Sequence, residues 1–224
     1  MNERSFHNWQ TKSGVYDALN LSYVDFDEDY PVLSSIQDLT NFNVVSCNNY
    51  KGMTGDSLVS TFVYDSILER FWNNPMKYVD IFNKVKYVLS PDFSLLIGMP
   101  RPVQQWNVYR NRLIGYIWQR AGINIIPTIS WSDDSSFEFC FRGVGLSSIV
   151  AVSNIGCRNE KQKEYFDNGF NEMIRQISPS KIIFQCNKKY KESYQRPEII
   201  FIDSYWDKKR KDNGGQKRTI NIKR

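Results

Sequence analysis

What most constrains this chain is a short apolar run that keeps returning between longer segments of helical spacing. The runs are NFNVVSC (41–47), KYVLSP (86–91), INIIPTISW (123–131), SSIVAVSNIG (147–156), KIIFQCN (181–187) and EIIFID (198–203). They are apolar without alternation, as strands are when both faces of a parallel sheet are covered by crossover helices. Pro127 sits inside its run, a position that marks an edge or a bulge because proline donates no ladder hydrogen bond.

The intervening segments supply the crossovers. The spacing predicts one helix from an Asp56 or Ser57 cap through LVSTFVYDSILERFW, and a second near NNPMKYVDIF with Pro75 in its first turn. A third spans 101–121 and closes at Gly122, a residue suited to a helix C-terminus. A fourth spans 159–177, where Tyr165, Phe166, Phe170, Met173, Ile174 and Ile177 share a face and Pro179 stops it. The turn SDDSS leads to a short helix or strand, FEFCF, and the polar insert KKYKESYQR precedes the last strand.

Strand and helix in this order give an α/β fold with about six mostly parallel strands and right-handed crossovers. The sheet is expected to be an incomplete, TIM-barrel-like barrel or an open doubly wound sheet. A crossover after each strand favours the barrel-like form, and periodicity does not choose. The chain divides into a loop-rich N-terminal arm (1–40), a single α/β domain (41–207) and a basic flexible tail (208–224).

Several chemistries find no residues here. The only histidine is His7, so a histidine-rich metal site cannot be built. The cysteines Cys47, Cys140, Cys157 and Cys186 lie far apart without a CxxC pair, the pattern of reduced, half-buried thiols. No apolar run approaches the ~18 residues a membrane helix needs, and the opening MNERSFHNWQTKSG has no secretory character. A cytoplasmic protein without membrane partners is expected. GMTGDS lacks the GK[ST] ending of a P-loop, and FRGVGLSS is a lone glycine pair.

Charge is unevenly placed. Residues 208–224, KKRKDNGGQKRTINIKR, hold eight Lys/Arg and one Asp, a net of +7, so the rest of the +5 chain sums to −2. Lys208, Lys209, Arg210, Lys211, Lys217 and Arg218 are the tail positions suited to phosphate contacts, with a solvated, solubilising tail as the competing reading. Residues 13–50 carry six acids and no base, Asp25, Asp27, Glu28 and Asp29 among them.

In either architecture ligands bind at the carboxyl ends of the strands. There the sequence places Cys47, Asn48, Asp92, Ser94, Ser130, Trp131, Asp133, Asp134, Ser153, Asn154, Cys186, Asn187 and Asp203. The stretch SPDFSLLIGMPRPVQQWNVYRNR (90–112) is the most informative. Arg110 falls within the apolar stripe of its helix, where a guanidinium needs a carboxylate or a bound anion. Asp92 is its expected partner, as a structural bidentate pair. The functional alternative has Arg110 or Arg112 holding a phosphate or carboxylate, with Asp92 as a base, or with Asp92 and Asp133 together binding Mg²⁺. Asp133 and Asp134 in a turn more often cap the next helix. Trp131 would stack a base or sugar, or pack. Ser94, Asn107, Arg112, Trp131 and Asn154 complete the expected ligand-binding rim. No cofactor is expected beyond that weak Mg²⁺ alternative.

The run FWNNPMKY, VLSPDFSLLIGMP, WNVYRNRLIGYIWQ, GINIIPTISW, FEFCFRGV and SSIVAVSNIGC, over roughly 65–185, resembles a domain of unknown function found in bacteria, phages, plasmids and integrative elements. The resemblance implies a protein of a phage or mobile element and carries no activity. It implies recurrent roles for Asp92, Trp106–Arg112 and Trp131, which coincide with the rim.

Three readings follow. The first is an accessory protein working on or beside nucleic acid through its tail and rim. The second is a metal-assisted hydrolase or transferase acting on a phosphate-containing substrate through Asp92, Arg110 and Asp133. The third is a binder that blocks a host defence protein through its acidic N-terminal arm, with a host or phage protein as its expected partner.

Overall fold

The computed structural model describes residues 25–36 and 38–204. His7, most of the N-terminal arm and the cationic tail lie outside them. An antiparallel hairpin comes first, β1 (Phe26–Asp27) and β2 (Tyr30–Pro31). Four parallel strands follow in one sheet: β3 (Asn43–Ser46), β4 (Ser57–Ser60), β5 (Tyr87–Leu89) and β6 (Ile125–Ile126). Three more form a second parallel group: β7 (Ile149–Ser153), β8 (Lys181–Gln185) and β9 (Ile199–Ile202). A bridge between Thr128 and Ala151 joins the groups edge to edge. There Ile129 N–H donates to Ala151 C=O, and Ala151 N–H to Pro127 C=O, each at 2.9 Å. Pro127 thus contributes only its carbonyl, at the point where the chain leaves β5 for β7.

Four helices cross between strands: α1 (Asp65–Asn73), α2 (Val79–Phe82), α3 (Arg101–Arg120) and α4 (Glu160–Ile177). The Asn159 side chain caps α4 by accepting from Gln162 N–H. Gly122, with φ near +87°, turns the chain out of α3. The FEFCF segment is neither helix nor strand but continues as turns after a 3₁₀ turn at Asp134–Ser136.

Strand order in space never departs from order in sequence, from β3 to β9. A doubly wound sheet requires that order to reverse, so that alternative does not apply. Crossovers of one hand then place the helices on a single face. Side chains of α1, α2 and α3 pack there with Val59, Val88 and Ile125, and α4 packs with Val150, Val152, Ile182 and Phe184. The other face gathers Val44, Leu58, Leu89, Ile126, Ile149, Ala151, Ile183 and Ile202 without a helix residue. Among the described residues no ladder joins β9 to β3, so the sheet is open and no barrel closes.

A further expectation is corrected. Ser57–Ser60 is strand β4, not the start of a helix, which brings the parallel order to seven strands among the described residues instead of about six. Leu58 faces the helix-free side and Val59 the helix side, so SLVS is buried on both faces. An apolar run this short fits a helix and a covered strand equally well. The helix begins at Asp65 instead, with that acid in its first turn.

Candidate functional site

The carboxyl ends of β4, β5 and β6 converge on the stretch 90–112, and their polar side chains are largely spent on one another. Thr61 Oγ1 donates to Ser90 C=O at 2.6 Å, and Ser90 Oγ accepts from Thr128 N–H at 2.8 Å. Asn111 lies at the centre. Its Nδ2 donates to Pro91 C=O (2.7 Å) and Thr128 Oγ1 (2.6 Å), while its Oδ1 accepts from Ser90 Oγ (3.0 Å) and Arg112 Nη1 (2.6 Å). Both halves of this buried amide are satisfied, as its burial demands.

Arg112 is fully enclosed. Its Nε donates to Arg142 C=O (2.8 Å), Nη1 to Thr128 C=O (3.0 Å) and Nη2 to Cys140 C=O (3.0 Å). These carbonyls and Asn111 Oδ1 take up the guanidinium's donors, and burial pulls its pKa down to about 10. The expectation that Arg112 presents its charge to a phosphate finds no open face.

Arg110 is where sequence reasoning chose the wrong partner. Its Nη1 meets Glu69 Oε1 of α1 at 2.6 Å, and its guanidinium lies 3.5 Å over the Phe93 ring. The expected Asp92–Arg110 pair does not form. The need for a carboxylate was read correctly, but its source is a helix 41 residues upstream.

Asp92 therefore stands without an arginine bond. The residue keeps some exposed surface, yet its Oδ1 is sealed from solvent and has no hydrogen-bond partner. Burial pushes the carboxyl up to about 7, and the nearby Asp65 carboxylate pushes the same way. Arg112 and the Ser130 and Thr128 hydroxyls oppose the shift without cancelling it. At neutral pH such a group exchanges its proton, the property a general acid or base requires.

Asp65 belongs to this site and escaped the sequence reading, which placed it in mid-helix. Its Oδ1 and Oδ2 accept from Ser94 N–H at 3.2 Å, and its Oδ1 from Ser94 Oγ at 2.9 Å. Asn107 Nδ2 donates to Ser94 C=O (2.7 Å) and Gln104 Nε2 to Met99 C=O (2.8 Å). Ser94 and Asn107 thus fasten the 91–99 loop. A cavity of about 10 Å³, lined by Asn107, Asn111, Arg112, Thr128, Ser130 and Cys140 among others, lies beside them. That is room for one water at most, far below a nucleotide.

The remaining rim residues are dispersed. Asp133 caps the 3₁₀ turn, its Oδ1 accepting from Ser135 N–H (3.1 Å) and Oγ (2.6 Å). Trp131 is 8% exposed and packs 5.0 Å from Phe166 and 6.2 Å from Phe141, with α4 approaching so closely at Gly169 that a Cβ there would overlap the indole. It has no free ring face for a base or sugar. Asn154 lies at the end of β7, where its Oδ1 accepts from Asn187 N–H at 2.6 Å and its buried Nδ2 has no partner. All four cysteines are buried and outside any disulfide. The acids Asp27 and Glu28 pair with Arg142, and Asp27 also accepts from Gly143 N–H. Among the described residues no group of three or more His, Cys, Asp or Glu is placed to hold a metal ion. No helix among them is long and apolar enough to cross a membrane.

Comparison with known proteins places these features. Residues 24–204 match the family described as Domain of unknown function (DUF4417). The "Gene 1 protein" of Mycobacterium phage L5 is 33% identical over 216 residues, covering 93% of this chain and 94% of that protein. The "Gene 1 protein" of Mycobacterium phage D29 is 32% identical over 216 residues, covering 93% of this chain and 80% of that one. No solved structure matches.

Proposed function

Since the chain belongs to the DUF4417 family and resembles proteins that phages encode, we propose that it is an accessory protein of a phage or mobile element, working on or beside nucleic acid through its cationic tail. The observation that carries this reading is the split of charge, +7 in residues 208–224 against −2 in all the rest. A segment of that charge density draws phosphate backbones by releasing their counterions, whatever the sequence of the nucleic acid. The geometry favours the tail over the rim as the site of contact. Arg112 is occupied by carbonyls, Trp131 is packed on both sides, and the cavity between β5, β6 and α3 is too small for a nucleotide.

The test is fluorescence anisotropy with single- and double-stranded DNA and RNA at several salt concentrations. The full chain is compared with one ending at Asp207. Binding that falls steeply with salt and vanishes with the tail supports the reading. Absence of binding by the full chain at low salt defeats it.

A second reading rests on one observation, the sealed Asp92 carboxyl poised near neutrality. In an enzyme of this fold it would move a proton at a phosphate-containing substrate. Turnover abolished by Asp92→Asn in a protein that stays folded would support that reading, and turnover unaffected by the substitution would remove it.

A further inference from the structure

The 91–99 loop is held with unusual care for a segment whose tip is apolar. Asp65 and Asn107 fix Ser94, Asn111 fixes Pro91 and Gln104 fixes Met99. Inside, Leu95 joins the core. Outside, Leu96 and Ile97 are 58% and 52% exposed, and Gly98 turns the tip with φ near +83° and open space around it. On α3, Gln104 and Asn107 hold the loop, and their chain neighbours Val103 and Trp106 are also exposed, at 43% and 44%. Trp106 is braced by Trp72 edge-on at 4.8 Å and by Tyr109 at 5.8 Å. Two consecutive aliphatics on a pinned loop, flanked by a braced tryptophan, make a preorganised anchor of the kind that dominates protein interfaces.

The charges tied to this ridge decide what fits it. Arg101, in the first turn of α3, donates to Ser135 C=O at 3.1 Å and pairs with Glu138, which joins the Asp133–Glu138 turn to the ridge. Asp65 holds the loop and Glu69 pairs with Arg110 beneath it. Five acids (Asp65, Glu69, Asp133, Asp134 and Glu138) stand against two bases (Arg101 and Arg110), a net of −3. A phosphate strand is repelled by that balance. A segment that is apolar on one side and cationic on the other is attracted.

We infer that Leu96, Ile97, Val103 and Trp106 form a docking ridge for a basic amphipathic segment of another protein. Its apolar side covers the ridge and its Lys/Arg side meets Asp133, Asp134 and Glu138. None of these residues belongs to the tail, and the inference does not rest on nucleic-acid binding.

The probes are two labelled helical peptides of equal length and apolar face, one with Lys/Arg and one with Glu/Asp on the polar face. Anisotropy measures their binding to the full chain, and hydrogen exchange locates it. The basic peptide is expected to bind at least tenfold more tightly at the ridge and to slow exchange over 94–106. A Leu96→Ser/Ile97→Ser protein, with its thermal midpoint unchanged because both side chains point outward, loses that binding. Asp134→Asn/Glu138→Gln weakens it and steepens nothing else. No binding by the basic peptide, or binding indifferent to Leu96→Ser/Ile97→Ser, overturns the inference. So does protection of the ridge by the acidic peptide, by an oligonucleotide, or by a second copy of the chain, seen as a concentration-dependent doubling of mass.

Discussion

Arg110 and Glu69 meet at 2.6 Å across the crossing of α3 and α1, and Asp92 takes no part in the pair. The guanidinium is 9% exposed and the carboxylate 44%, so the bond is half screened. In a double-mutant cycle, Glu69→Gln and Arg110→Met should couple by about 1 kcal/mol, the scale of a well-formed but partly exposed pair. Asp92→Asn and Arg110→Met should couple by a few tenths at most. Urea unfolding of the single and double variants reads both quantities. A large 92–110 coupling would restore the pair that sequence alone suggests.

The pH dependence of stability isolates Asp92. Its folded pKa is raised from 3.8 to about 7. Below pH 4 the folded and unfolded states both hold the proton and the group contributes nothing. Between pH 4 and 7 the folded state keeps a proton the unfolded state has lost, so wild-type stability falls as pH rises, and the penalty is complete above pH 7. Asp92→Asn should match wild type at pH 4 and be more stable at pH 8, by up to about 4 kcal/mol, the equivalent of a three-unit shift. A variant equally stable or less stable at pH 8 would show that the carboxylate is satisfied in solution.

Asp65→Asn probes the same site from its neighbour. Removing the like charge should bring the Asp92 titration to lower pH, followed by carboxyl ¹³C shifts. Loss of the Ser94 clamp should quicken amide exchange over 94–99. Both changes in one protein are expected. An unmoved Asp92 titration would mean that burial alone sets it.

Packing between α4 and the segment that follows β6 is tight enough to test with one methyl. A Cβ at Gly169 would overlap the Trp131 indole, whereas one at Gly55 meets nothing. Gly169→Ala should cost roughly 1–3 kcal/mol by overpacking, and Gly55→Ala should be close to neutral. Unfolding midpoints followed by tryptophan fluorescence settle the comparison.

Much of the fold was legible because it is written locally. Gly122 closes α3, Pro179 follows the end of α4, and the unbroken apolar runs announce a parallel sheet. SLVS was misread because four residues buried on both faces carry no period, and its neighbour Phe62-Val63 extends the apolar run toward a true helix. The position of Asp92 just beyond β5 was legible, because KYVLSP reads as a strand that ends at its proline. Its chemistry was not legible. The partner of Arg110 comes from α1, that of Trp131 from Gly169 on α4, and that of Ser94 from Asp65, each separated by dozens of residues that no spacing rule connects.

Hydrogen exchange of the full chain, with and without a single-stranded oligonucleotide at low salt, tests most directly that the rim is sealed and the tail makes the contact. The account predicts slowed exchange confined to peptides beyond residue 207, with 90–94, 107–112 and 128–131 unchanged. Protection of those three segments would contradict it and place the nucleic acid at Asp92.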